Sequence, residues 1–149
     1  MNTRLFLSND VDAIHGFSMG QLDENLSPVE AEMHSWQQPW RKESLEHYAQ
    51  LGWSFVAQEG DEVLGYILGQ PILFFNNWTQ TLWIESLAFV NDSVGFELMD
   101  VAIRWSKTKH LQKVLMNTDC PSLSFVEKNF PGFKQKNYLH ISTTKMSED

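Results

Sequence analysis

The sequence has one cysteine, Cys120, in 149 residues. A lone cysteine excludes a disulfide framework and any four-cysteine zinc site, and it makes a reducing cytoplasm the expected compartment. Bases are scarce as well: 11 Lys and Arg stand against 19 Asp and Glu, a formal net charge of −8. An acidic chain with no basic stripe is a poor nucleic-acid binder, so no nucleic-acid partner is expected. The five His residues form no HxxxH or HExxH pair, and the chain has no GxSxG elbow and no P-loop. No metal is expected, and neither a serine hydrolase nor a nucleotide-phosphate loop is written in the sequence. The uncharged stretch 63–84 is interrupted by Gln70 and Pro71, and again by Asn76, Asn77, Thr79, Gln80 and Thr81. It therefore reads as two buried strands with a turn between them, and no membrane partner is expected. Residues 1–7 hold too short an apolar run for a signal peptide.

What is present is a core. Hydrophobic residues make up 42% of the chain and aromatics 13%, with ten Phe and six Trp. That length and composition predict a single globular domain over 1–149, with 143–149 a loose C-terminal tail. The charge is uneven. Residues 1–103 set fifteen acids against Arg4, Arg41 and Lys42, while residues 104–149 set eight bases against four acids. The two readings are a scatter of solvated charge, or one part of the chain that meets an anion and another that meets a cation.

Local patterns give the element order. Residues 3–7 read as a strand, and Asp10 is placed to cap a helix over 11–19. Ser27-Pro28 followed by Glu30 opens a second helical region toward Gln38, which Pro39 breaks; a further helix over 41–51 ends at Gly52. Residues 53–59, 63–74 and 81–90 read as an antiparallel meander with turns at Gly60-Asp61 and Asn76-Asn77. Val94, Leu98, Val101, Ala102 and Trp105 fall at helical spacing, predicting a helix over 93–107. A strand over 113–117, a helix over 122–130 and an extended stretch over 133–142 follow. A meander followed by a crossover predicts an α/β (α+β) domain with a mixed, mostly antiparallel sheet and helices on both faces.

Several strings in that order resemble the GNAT N-acetyltransferase superfamily. Trp83-Ile-Glu-Ser-Leu-Ala-Phe-Val90, then Val94-Gly95, then Leu98-Met-Asp-Val-Ala-Ile-Arg-Trp-Ser106 look like its fourth strand, the start of its pyrophosphate loop and its third helix. Lys113-Val-Leu-Met-Asn-Thr118 resembles the fifth strand, and Phe125-Val-Glu-Lys128 with Gly132-Phe133 resembles the fourth helix and the Gly-Phe after it. The resemblance implies acetyl-CoA as co-substrate. It also implies that the family's Arg/Gln-x-x-Gly-x-Gly/Ala loop and the helix start would cradle the CoA pyrophosphate. Here only Asn91-Asp92-Ser93 separate Val90 from Val94-Gly95, so the loop is about four residues short in this alignment. Asp92 brings a negative charge to that place; its other reading is that Asp92 or Ser93 caps the helix. Val126 stands where the family often has a Tyr that protonates the leaving thiolate.

The resemblance assigns candidate roles. Glu85, the lone acid in its strand, is the candidate base; its other readings are a solvent-edge carboxylate or an acid paired with an Arg. The backbone of Leu87, Ala88 and Phe89 would meet the oxyanion and the pantetheine arm, and Asn117 would hydrogen-bond that arm. Val94, Gly95 and Phe96 at the helix start, with Phe125 and Lys128, complete the expected CoA contacts, and Lys107 and Lys109 would attract its phosphates. The family's motif places no acid here; Tyr138 or Cys120 could supply the proton for the thiolate instead. Trp36 and Trp40, together with Tyr48, Glu30, Glu32, Glu43 and Glu46, suit a cationic small-molecule or peptide amine, or else are core aromatics beside a solvated acidic face. Apart from the resemblance, Phe74, Phe75 and Trp78 around the Asn76-Asn77 turn read either as ordinary hairpin packing or as an apolar patch for an acyl chain or a second subunit of a homodimer. The expected function is transfer of an acetyl group from acetyl-CoA to an amine by direct attack. The alternative is a degenerate module that binds a partner or an acyl ligand without turnover.

Overall fold

The computed structural model of the chain describes residues 1–75, 78–130 and 132. Five strands and five helices follow one another within that span. Strand β1 (Asn2–Leu5) is joined by a short 3-10 turn, Ser8–Asp10, to helix α1 (Val11–Met19). Helices α2 (Pro28–Ser35) and α3 (Lys42–Leu51) come next, then the meander β2 (Phe55–Glu59), β3 (Glu62–Phe75) and β4 (Trp78–Phe89). Helix α4 (Asp92–Thr108), strand β5 (Lys113–Met116) and helix α5 (Leu123–Asn129) complete it.

The local chemistry of α2 and α3 matches the sequence expectation. The Ser27 hydroxyl accepts from the Glu30 amide at 3.1 Å, and the Glu30 carboxylate accepts from the Ser27 amide at 3.1 Å, so two otherwise orphaned N–H groups are satisfied. Gly52 ends α3 with φ of +74°, a conformation that costs glycine little. Helix α2 stops at Ser35, before the expected break at Pro39. Asp10 stands at the N-cap position of α1 as expected, but its side chain makes no cap bond to that helix; its oxygens accept from the Leu7 amide at 2.9 Å, closing the 3-10 turn, and from Arg4 at 2.7 and 2.8 Å.

The sheet runs in the order β1-β2-β3-β4-β5, antiparallel throughout except for β4 and β5, which are parallel. Alternation along the strands builds two cores. Phe55, Ala57 and Ile67 on one face join Leu82, Ile84 and Leu87 under Val94, Leu98, Met99 and Ala102 of α4. Val56, Tyr66 and Leu68 on the other face pack with Phe6, Val11 and Ile14 at α1 and Leu45 and Tyr48 of α3. Helices therefore cover both faces, and the mixed architecture read from the sequence is the one observed. Among the described residues, no helix is long and apolar enough to cross a membrane. The Asn76-Asn77 turn, the extended stretch 133–142 with Tyr138, and the tail 143–149 lie outside the described residues.

Candidate active site

The parallel ladder between β4 and β5 is short. It runs from Thr81 opposite Lys113 to Ile84 opposite Met116, and its last bond is from the Asn117 amide to the Ile84 carbonyl at 2.9 Å. At that point β4 bulges. Gly69 faces Ile84 and Leu68 faces Ser86, which leaves Glu85 as the extra residue with no partner across the pair. A bulge bends its strand, and here β4 stays on β3 to Phe89 while the chain beyond Asn117 turns away. The result is a cleft of about 750 Å³, walled by residues 85–89 of β4, by Asn117 and residues 119–122 beyond β5, and by the segment between α2 and α3.

Glu85 is half-buried in this cleft. The Trp83 indole N–H donates to its Oε2 at 2.6 Å, and the Asn117 side-chain amide donates to its Oε1 at 3.3 Å. A carboxylate has about four lone-pair sites, so each oxygen keeps acceptor capacity for a water or an amine. The Leu87 carbonyl faces the gap, where the Ser122 hydroxyl and the Cys120 thiol donate to it. In a strand the N–H and C=O of one residue point the same way, so the Leu87 amide is also turned to the gap. Burial pushes the Tyr48 phenol up to about 12, with the nearby Glu85 charge adding to it, so Tyr48 stays protonated at neutral pH. Tyr66 on the cleft wall is likewise raised by burial, and its oxygen accepts from the buried Ser18 hydroxyl at 3.1 Å.

The opposite wall holds Trp36, 58% exposed, and Trp40, buried edge-on to His15 at 5.6 Å. Arg41 also lines it; its Nε donates to the Ser44 hydroxyl at 3.2 Å. Of the acids expected to meet an amine, Glu30, Glu32, Glu43 and Glu46 do not line the cleft. The acids that do are Glu85 and Asp119.

The start of α4 is built differently from the expectation. Its cap is Asn91, whose side-chain oxygen accepts from the Val94 amide at 3.1 Å; neither Asp92 nor Ser93 is the cap. The Asn91 carbonyl accepts from the Gly95 amide at 3.2 Å. Val94 and Gly95 are buried, and a Cβ on Gly95 would lie 2.9 Å from both the Phe125 and Phe89 rings. Phe89 and Phe125 meet at a tilt with 4.8 Å between centroids, Phe96 meets Phe125 at 5.2 Å, and Phe130 meets Phe96 at 5.8 Å. Lys128 is exposed in the last turn of α5. Lys107 sits in the last turn of α4 and Lys109 just after it, about 20 Å along the axis from Asp92, so they do not flank that end. Leu73 and Phe74 are exposed at the end of the β3–β4 hairpin; the side chains of Phe75 and Trp78 lie outside what the structure describes.

The cleft thus gathers Glu85, Leu87, Ala88, Phe89, Asn117, Trp36 and Trp40 and leaves Val94, Gly95, Phe96, Phe125 and Lys128 in a separate cluster or at the surface. Trp83 and Ser122 were missed from sequence. Trp83 carried a usable signal, since residues two apart on a strand share a face. Ser122 carried none, because its contact depends on how the chain turns after β5.

The sequence matches the Acetyltransferase (GNAT) family over residues 23–130, and the chain belongs to that family. Solved structures share the fold. A protein from Thermus thermophilus superposes with a TM-score of 0.65 at 19% identity, covering 99% of this chain and 100% of its own. A predicted acetyltransferase from Clostridium acetobutylicum, solved with acetyl-CoA, gives 0.65 at 12% identity over 95% of each chain. An aminoglycoside acetyltransferase from an uncultured soil metagenomic sample, in complex with sisomicin, gives 0.62 at 16% identity over 97% of this chain and 96% of its own. No curated protein matches the sequence.

The family's co-substrate fits this chain at one end only. The gap beside Glu85 and Leu87 is open and turns the Leu87 backbone amide toward a thioester arm. The start of α4 spends its Val94 amide on its own Asn91 cap, carries Asp92 in its first turn and packs Gly95 against phenyl rings, so it is a poor match to a diphosphate.

Proposed function

We propose that the protein is an N-acyltransferase that moves an acyl group, acetyl in the first instance, from a CoA-type thioester to a small-molecule or peptide amine. The observation that supports this most is Glu85, displaced by the bulge into an open cleft beside the Leu87 backbone. The thioester supplies the acyl carbonyl. Glu85, steadied by Trp83 and Asn117, takes the proton from the attacking amine through a water, and the Leu87 amide meets the oxygen on which charge develops. The C–N bond forms as the C–S bond breaks, and the thiolate takes a proton from a neighbouring acid. Cys120, which lines the cleft, and Tyr138 are the candidates. The wall of Trp36 and Trp40 would hold the acceptor, and the aminoglycoside enzyme of the same fold supports an amine of that general kind. The test is thiol release from acetyl-CoA with a panel of amines, followed for the native protein and for Glu85→Gln. Release that is absent with every amine, or unchanged in the variant, rejects the reading.

The closed start of α4 favours a second reading, binding without turnover. Calorimetric titration with acetyl-CoA and CoA, repeated for Asp92→Ala, separates the two. Binding of acetyl-CoA without any thiol release points to the binding module.

A further inference from the structure

A thioester arm that runs along β4 from Leu87 to Phe89 next meets the first turn of α4, because only Val90 and Asn91 separate the two elements. Much of the backbone there is already engaged, and the first-turn amides that remain are those of Asp92 and Ser93, beside the Asp92 carboxylate. The Val90 amide donates to the Leu64 carbonyl at 2.9 Å, the Val94 amide to the Asn91 side chain at 3.1 Å and the Gly95 amide to the Asn91 carbonyl at 3.2 Å. Gly95, which in a phosphate-binding loop would let backbone approach a ligand, here makes room for the Phe89 and Phe125 rings at 2.9 Å. The adjoining groove is lined by Ser93, Phe96, Glu97, Asp100 and Phe130. Arg104 neutralises Asp100 through a 2.8 Å ion pair, which leaves Glu97, with Asp92 in the first turn, as the acids beside the path. A diphosphate in this position would find the Val94 amide already taken by the Asn91 cap, would lie against packed aromatic rings that offer it no donor, and would meet carboxylates.

We propose, resting on the acyl-transfer reading, that the donor site grips its thioester by the pantetheine-length arm alone, with no purchase on a diphosphate. Its donor class is therefore acyl thioesters of short thiols, pantetheine and N-acetylcysteamine among them, with CoA accepted for its arm and not for its nucleotide. The reaction is unchanged in balance: the amine loses one proton, the acyl carbon exchanges sulfur for nitrogen, and the thiol leaves protonated.

The experiment compares kcat/KM of the full chain for acetyl-CoA, acetyl-pantetheine and S-acetyl-N-acetylcysteamine with one amine. The expected values for acetyl-CoA and acetyl-pantetheine lie within about fivefold of each other, with acetyl-CoA the poorer donor at low salt and level with it near 0.5 M salt, where screening removes the repulsion. The double variant Asp92→Asn with Glu97→Gln is expected to raise acetyl-CoA alone. A preference of about a hundredfold for acetyl-CoA that weakens with salt overturns the proposal, as does a Lys128→Ala change that cuts acetyl-CoA alone by tenfold. Equilibrium titration with CoA and with pantetheine keeps the two readings apart. Equal affinities with no thiol release from any donor uphold the donor-site proposal and reject acyl transfer; tight CoA binding with weak pantetheine binding rejects the proposal whatever the turnover; binding of neither rejects both.

Discussion

The indole N–H of Trp83 and the carboxylate of Glu85, two residues apart on β4, are joined by a 2.6 Å hydrogen bond at the point where that strand leaves its neighbour. The bond fixes where one carboxylate oxygen points and leaves the other shared between Asn117 and the cleft. Replacing Glu85 by Gln keeps the shape and removes the proposed base. A positioned general base contributes about a hundredfold to ten-thousandfold, so kcat/KM is expected to fall by that range. The melting temperature should stay within a few degrees, because Glu85 is half-buried and no core residue depends on it. A loss smaller than threefold would mean that another group takes the proton.

On the proposed acyl-transfer reading Trp83 acts through Glu85, as a positioning residue. Trp83→Phe keeps an apolar body on the strand and deletes the N–H. The expected result is a several-fold fall in kcat with KM for the thioester unchanged. The double variant Trp83→Phe with Glu85→Gln should be no worse than Glu85→Gln alone, because the indole has lost what it orients. Additive losses in the double variant would show that Trp83 works independently of Glu85.

Much of the frame was legible because it rests on local chemistry. Ser27 and Glu30 form their reciprocal cap, Gly52 ends α3, and the alternating residues of β2 and β3 separate into two cores. Glu85 also stood out as the lone acid of its strand. What the sequence hid depends on register. The bulge at Glu85 is defined by β3, through the pairings of Gly69 and Leu68. Asp10 is the N-cap residue the sequence suggested, but its side chain turns to Arg4 and Leu7, and Arg4 reaches it only once β1 lies beside β2 and the chain turns back through Ser8–Asp10. Three residues able to cap, Asn91, Asp92 and Ser93, stand in a row, and the choice among them is set by where β4 stops. The rings of Phe89, Phe96, Phe125 and Phe130 come from three separate elements and meet only in the folded chain.

Two glycines report how tightly β4 and α4 are packed. A Cβ at Gly65 would lie 2.6 Å from the Ala88 carbonyl oxygen and 3.0 Å from the Phe89 Cα, both backbone atoms that cannot swing away. At Gly95 the nearest atoms are ring carbons at 2.9 Å, which can tilt. Overpacking of this kind costs about 1–3 kcal/mol. Gly65→Ala is expected at or above the top of that range and Gly95→Ala lower within it, measured by urea unfolding. The reverse order would show that the phenyl cluster is stiffer than the sheet.

The final prediction concerns pH. Arg4 donates twice to Asp10, and the Leu7 amide donates once more, so the Asp10 carboxyl titrates below its ordinary value despite some loss of solvation. A carboxyl held lower in the folded than in the unfolded chain stabilises the fold above its unfolded pKa of about 4, and that stability is lost as pH falls through the folded value. Asp10→Asn removes the ion pair at every pH. Hydrogen bonds to charged groups are worth about 1.5–3 kcal/mol, so the variant should be less stable than the native chain by roughly that amount at pH 7. The difference shrinks as pH falls below about 4, and once pH has passed through the lowered folded value the native chain has protonated Asp10 and lost the same interaction, so the two unfolding curves should converge. Curves that stay equally far apart down to pH 2.5 would assign the stabilisation to packing around Asp10 and not to its charge.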